Sequence, residues 1–261
     1  MPEKKIEVTG GLHPYIKDLR DFDYGTIARL GAADLSGLPA DYQIDPLFFH
    51  NQLTSDMCTG FSATECSEDQ EGVILHPEFA FMAGKRYRGG DSWKAWGNNV
   101  NAPMLGAVTW GTLELAEAPE MTLAAGKTRD FLANPANWPE KYWKLAEKHK
   151  KDSFFSINKK LGGDLFDSVR LALWENRDYR RTIMTAATWR GAWNHPFEGI
   201  IPTSSEATGI GHMFEIIGWK TIGATKYLVV YPNYGKQLGI GGLLYMPRLV
   251  ANTELFGAWM F

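Results

Sequence analysis

Cys58 stands in the run Asn51-Gln52-Leu53-Thr54-Ser55-Asp56-Met57-Cys58-Thr59-Gly60-Phe61-Ser62, where a helix-compatible composition begins. A thiol at a helix N-terminus feels the positive end of the macrodipole, which stabilises the thiolate and makes it a nucleophile. Gln52 lies in the loop just before and can present its side-chain amide to the same point. With the main-chain N–H of Cys58 it would form an oxyanion hole. A buried structural cysteine beside a loop glutamine also accounts for this segment. His212 belongs to Gly209-Ile210-Gly211-His212-Met213-Phe214-Glu215-Ile216-Ile217-Gly218-Trp219 and heads a strand pattern. It is either a base for Cys58 or a packing histidine. A cysteine and a histidine acting together perform acyl transfer through a thioester.

The elements that must position these groups are readable in outline. The first 50 residues are rich in turn formers and read as an extended arm wrapped over a core. Ser55 and Asp56 supply an N-cap signal for a helix over Cys58 to Glu68. Pro77 opens a second helix, to Ala83, at the position where proline is tolerated. Further helical runs cover Met104 to Glu117 and Pro139 to Lys150. Asp164 caps a helix over Leu165 to Glu175, with Leu165, Val169 and Leu173 on one face. Beyond it, Thr182 to Thr188, His212 to Trp219, Tyr227 to Tyr231 and Gly242 to Met246 are short and β-favouring, most of them punctuated by Gly or Pro. Helices followed by strands indicate an α+β fold rather than an alternating parallel sheet. The same reading gives one domain with an arm (1–50), a mainly helical part (51–160) and a mainly β part (161–261). Strand alternation puts Glu215 on the face opposite His212, and there exposed to solvent. Tyr87, Trp93, Trp96 and Trp110 read as core and loop packing.

Two later blocks complete the pattern: Tyr227-Leu228-Val229-Val230-Tyr231-Pro232-Asn233-Tyr234-Gly235, and Gly239-Ile240-Gly241-Gly242-Leu243-Leu244-Tyr245-Met246-Pro247. In order and spacing the ensemble resembles papain-like cysteine peptidases. Gln52, Cys58, Phe61 and Ser62 match the block around the nucleophile. Gly211-His212 and Gly218-Trp219 match the histidine block. Tyr234-Gly235, Leu238-Gly239 and Gly242-Leu243 match the last. Leu75-His76-Pro77-Glu78-Phe79 and the arm residues Asp18-Leu19-Arg20-Asp21 look like bacterial members. The segment from Gly84 to Leu161 matches only loosely, and no separate prodomain is evident ahead of Gln52.

The resemblance implies a papain-like fold, with a helical left half, a β-barrel-like right half and an active-site cleft between them. It implies Cys58 as nucleophile, His212 as base, Gln52 as oxyanion donor and Met213 as a wall of the specificity pocket. Three departures stand out. Pro232 falls where the orienting asparagine belongs, and proline has no side-chain donor or acceptor. A one-residue slip with a bulge would bring Asn233 into that role; the alternatives are an unoriented Cys–His dyad or a decayed site. Asp56-Met57 replaces Gly-Ser before the nucleophile, and Tyr234 replaces the shielding tryptophan. The resemblance therefore implies a thiol peptidase acting on peptide or isopeptide bonds. Its rival is a catalytically impaired scaffold with a binding or structural role in an assembly such as a phage particle, joined through the N-terminal arm.

Bulk properties exclude other classes. The 261 residues are 44% hydrophobic, enough for a sizeable core. A net charge of -3 gives no basic face, so nucleic acid is not an expected partner. No apolar run is long enough to span a membrane. The segment after Met1 lacks a signal-peptide core, so a cytoplasmic or virion-associated protein is expected. The histidines, His50 among them, and the two cysteines show no metal-ligand spacing, and no cofactor is expected. Cys58 and Cys66 on one helix are about 12 Å apart at ~1.5 Å rise per residue. That is too far for a disulfide, so both are expected to be free thiols.

Overall fold

The computed structural model describes residues 11–15, 21–24, 35–157, 162–203 and 210–261. The α-helices are α1 (Cys58–Glu71), α2 (Pro77–Arg88), α3 (Ala102–Trp110), α4 (Arg129–Ala133), α5 (Glu140–Ala146), α6 (Leu165–Glu175) and α7 (Arg248–Glu254). The strands are β1 (Leu12–His13), β2 (Asp21–Asp23), β3 (Tyr42–Gln43), β4 (Asn98–Asn99), β5 (Phe154–Ile157), β6 (Ile183–Trp189), β7 (Ile210–Ile222), β8 (Thr225–Tyr231), β9 (Leu244–Pro247) and β10 (Leu255–Met260). The eight-stranded sheet has the order β2-β5-β10-β6-β7-β8-β9, with β3 pairing β7. Its pairings are antiparallel except β2 with β5.

Helix α2 begins with proline at its first turn, and the His76 ring accepts the main-chain N–H of Phe79. Asp164 caps α6 through the N–H of Asp167, as its sequence indicates. The Ser55–Asp56 cap signal is overturned. Met57 is the N-cap of α1 and no side chain caps it, because the Asp56 carboxylate is drawn sideways to Arg129. The expected helix over Met104 to Glu117 stops at Trp110, where Gly111 takes φ +90.

Each half has its own core. Phe61, Phe79, Phe81, Trp138 and Trp143 pack among the helices. Phe166, Trp189, Phe214, Trp219 and Leu228 pack on one face of the sheet under α6 and α7. A third cluster joins the halves: Cys58, Cys66 and Met104 from helices meet Met184, Met213 and Trp259 from strands. The nucleophile candidate thus lies on the seam. Glu215 is a correction: it is fully buried rather than exposed, because the face of β7 opposite His212 packs on α1.

Along this seam runs the arm. Strand β1 pairs in parallel with β4. The Asn98 N–H donates to the Gly11 carbonyl at 2.7 Å and the Val100 N–H to that of His13 at 3.3 Å. The Tyr15 ring stacks on Trp259 with centroids 6.1 Å apart. The contact demands glycine on both sides. A Cβ on Gly97 would fall 1.5 Å from the Gly11 oxygen, and one on Gly11 would fall 2.4 Å from the Gly97 Cα. Of the arm residues read from sequence, Asp18, Leu19 and Arg20 lie outside the described residues.

Candidate active site

Cys58 is the first residue of α1, and its side chain is buried. The main-chain N–H groups of Met213, Gly11 and Thr59 approach its sulfur and favour the thiolate. Burial outweighs them and pushes the thiol up to about 11, with the Asp56 charge acting in the same direction. That charge is matched elsewhere: Arg129 Nε donates to Asp56 Oδ1 at 2.8 Å and Nη2 to Oδ2 at 2.7 Å, while the Gly97 N–H also donates to Oδ2. Asp56 therefore ties the residue before Met57 to the loop that carries β4. Lys85, buried in α2, holds the same loop by donating to the carbonyls of Ser92 at 3.0 Å and Ala95 at 2.7 Å, and to that of Gly97.

His212 lies on β7, next in the chain to the Met213 amide that faces the sulfur. Its Nε2 donates to the Pro232 carbonyl at 3.0 Å. That bond places the proton on Nε2 and leaves the Nδ1 lone pair unprotonated. Nδ1 has no hydrogen-bond partner among the described residues. Trp189 meets the ring edge-on at 4.9 Å, and Tyr234 stacks on it at 5.6 Å. Full burial lowers the imidazole pKa to about 4. Burial thus favours a neutral Cys58 thiol and a neutral His212 imidazole.

Gln52 sits in the loop before α1, its main-chain N–H donating to the Asn233 carbonyl at 3.0 Å. Its side-chain amide donates to the Ser55 carbonyl at 3.1 Å and to the Tyr234 hydroxyl at 3.2 Å. Tyr234 thus covers the imidazole with its ring and holds the glutamine with its hydroxyl.

Asn233 does not take the orienting role considered for it. Its backbone is left-handed at φ 65, and Nδ2 turns away from the imidazole. Nδ2 lies within hydrogen-bond reach of the Met213 carbonyl (2.9 Å), Ser62 Oγ (3.0 Å) and the Cys58 carbonyl (3.3 Å). It fastens α1 to β7, and the main chain of Pro232 orients the histidine instead. Met213 is buried in one cluster with Cys58, Ala186 and Trp259 and lines neither the cavity of about 730 Å³ nor that of about 600 Å³. His50 pairs with Glu68 at 2.7 Å. Both cysteines are free. Sequence reasoning missed the carbonyl of Pro232 and the glycine pair Gly11 and Gly97; neither carries a signal in residue type alone.

No protein-family model matches the sequence, and no curated protein matches it. Solved structures do. Xylellain, a cysteine protease from Xylella fastidiosa, has a TM-score of 0.73 at 16% identity, covering 100% of this chain and 98% of that one. A procathepsin B from Trypanosoma congolense has a TM-score of 0.63 at 10% identity, covering 97% and 85%. The bromelain protease of Ananas comosus in complex with the E64 inhibitor has a TM-score of 0.58 at 13% identity, covering 85% and 98%. The fold is papain-like, an α+β architecture whose solved neighbours are cysteine proteases.

Proposed function

We propose that the chain is a thiol peptidase hydrolysing peptide or isopeptide bonds, held latent by its own N-terminal arm. The observation that carries this reading is the histidine: one nitrogen is anchored on the Pro232 carbonyl and the other is left bare. A packing histidine has no use for a buried, unpartnered lone pair. Nδ1 takes the proton of Cys58 as the sulfur attacks the substrate carbonyl. The developing oxyanion is met by the Cys58 main-chain N–H and the Gln52 amide, once the latter turns from its present partners. Collapse breaks the C–N bond, and the proton on Nδ1 leaves with the amine. Water, deprotonated by the same nitrogen, then cleaves the thioester. Tyr234 and Trp189 pack against the imidazole, hold its orientation and shield it from bulk water.

Latency follows from burial, since Cys58, His212 and Gln52 are all covered and Gly11 lies against the sulfur. The scaffold alternative rested on Pro232 as a lesion and on the lack of an evident prodomain, and the first of these is the point at issue here. A main-chain carbonyl performs the orienting duty whatever the side chain, so that support falls away. The direct test is turnover of fluorogenic peptide amides by the full chain and by Cys58→Ala. Activity confined to the wild type is expected, whereas equal turnover by the variant would sink the proposal.

A further inference from the structure

Asp56 stands where the resemblance calls for glycine, and the thiol chemistry gives it no part. A fully buried carboxylate two residues ahead of the nucleophile opposes the thiolate that the reaction needs. A buried charge of this kind has to be paired. Its partner is Arg129, the first residue of α4, which reaches back to it across the helical half. The fork is two-pronged: Nε and Nη2 each address one oxygen of Asp56, at 2.8 Å and 2.7 Å. Asp56 Oδ2 takes the Gly97 N–H as well.

The rest of the guanidinium grips the docking loop. Nη2 donates to the Ala95 carbonyl, and Nη1 donates to the Trp93 carbonyl at 2.7 Å and to Asp130 Oδ1 at 3.1 Å. With the two bonds to Asp56, all five N–H donors of the side chain have an acceptor. Lysine carries three donors around a point charge and does not reproduce that pattern. The Phe81 ring, its centroid 5.7 Å from the guanidinium carbon, confines the group further. The other charges facing this ground are engaged elsewhere. Lys85 on α2 turns its Nζ to the carbonyls of Ser92, Ala95 and Gly97. Arg88, on the same helix, acts on Lys85. His212, across the seam on β7, is held neutral by burial. The charge balance beside Cys58 therefore depends on Arg129. The loop that Arg129 grips leads into Gly97, against which the arm lies.

We infer that Arg129 is a positioning residue for the thiol chemistry: it holds and neutralises Asp56, so that the Cys58 thiolate forms beside a balanced pair, and with the same guanidinium it fixes the loop on which the arm docks. Its purpose rests on the thiol-peptidase reading, whereas its test needs no turnover. The rate of Cys58 alkylation by iodoacetamide is followed against pH by mass spectrometry, in full-length chain carrying Gly11→Val to displace the arm. Unreacted Cys66 reports that each variant is folded. Arg129→Met leaves the carboxylate bare. It is expected to raise the midpoint of the profile by about one pH unit, a tenfold slower reaction at any pH below it. Asp56→Asn leaves the guanidinium unmatched and is expected to lower the midpoint by a similar amount. The double variant is expected to return to the parent value, and Arg129→Lys to fall between the parent and Arg129→Met. Opposite shifts are the signature of charge, since loss of a purely structural contact moves both single variants the same way. Midpoints that stay put, or that move in the same direction, overturn the assignment. Should Arg129→Met not fold, the downward shift in Asp56→Asn decides, and its absence overturns the assignment as well. Turnover of fluorogenic amides by the wild type addresses the peptidase reading separately, so either can fail while the other stands.

Discussion

The imidazole of His212 takes its orientation from a carbonyl, and a carbonyl is indifferent to the residue that bears it. Replacing Pro232 by alanine leaves the Nε2–O contact available and removes only the rigidity of the ring. The expected result is turnover within a few-fold of wild type and a stability loss of about 0.4–1 kcal/mol. A drop of several orders of magnitude in kcat would show that the main-chain contact does not hold the base. Asn233→Ala behaves differently. It deletes the amide that fastens α1 to β7 and puts a Cβ-bearing residue without a polar side chain at φ 65. A loss of about 2 kcal/mol is expected from the unpaired carbonyls and the left-handed backbone together. Urea unfolding of the two variants side by side checks both statements.

At the scale of elements, β1 on β4 is what closes the site. Gly11→Val forces a branched side chain into the Gly97 backbone and lifts the strand away. Alkylation of Cys58 by iodoacetamide is then expected to accelerate about tenfold or more, matching ~1.4 kcal/mol of lost docking. Rapid reaction is expected to persist below pH 8.5, the ordinary thiol range. Cys66, buried with its thiol pushed well up by desolvation, serves as the internal control. If both thiols react alike in the variant, the arm is not what restrains Cys58. The same strands mark the limit of what the sequence reveals. The pairs Leu12–His13 and Asn98–Asn99 are too short for any alternation to register, so the covering of the cleft was illegible. Helix α1 was legible from its helix-compatible composition, and strands β6 to β9 from β-favouring runs that are local in the chain. The Asp56–Arg129 pair was not, since it joins residues far apart in the chain, and the cap reading failed for that reason. Glu215 was misread because alternation tells which face a residue takes but not what packs against that face.

For the molecule as a whole, the buried face of β7 against α1 sets how stability follows pH. Glu65, Glu68, Asp69 and Glu215 are buried there with Cys66, Thr182, Tyr231 and the His50 ring close by, and Arg180 beside Asp69. Desolvation raises all four carboxyls, Asp69 to about 7. A carboxyl that keeps its proton when folded and loses it when unfolded favours the fold at low pH. For Asp69 that contribution declines as pH rises from 3.8 to about 7. His212 acts in the opposite sense: its folded pKa is depressed to about 4 from 6.5, so its contribution falls away as pH drops through that window. The raised carboxyls outnumber the one imidazole, giving a net loss of stability as pH rises from about 5 to about 7, where buried Lys85, lowered to about 7, begins to act in the opposite sense. Glu65→Gln, a neutral stand-in for the protonated acid, is expected to raise stability at the upper pH by about 1–3 kcal/mol and to change little at the lower. A urea midpoint for the wild type that rises across this range would contradict the account.

The arm that pairs with β4 is part of the same chain, so that edge never meets it at bulk concentration. A tethered segment presents itself to its docking strand at an effective concentration on the order of millimolar. Any free peptide that uses this edge is therefore a competitor before it is a substrate. Apparent Michaelis constants of the full chain would report that contest more than intrinsic affinity. Selection would fall to long or multiply anchored polypeptides, which can hold on elsewhere while the arm comes and goes.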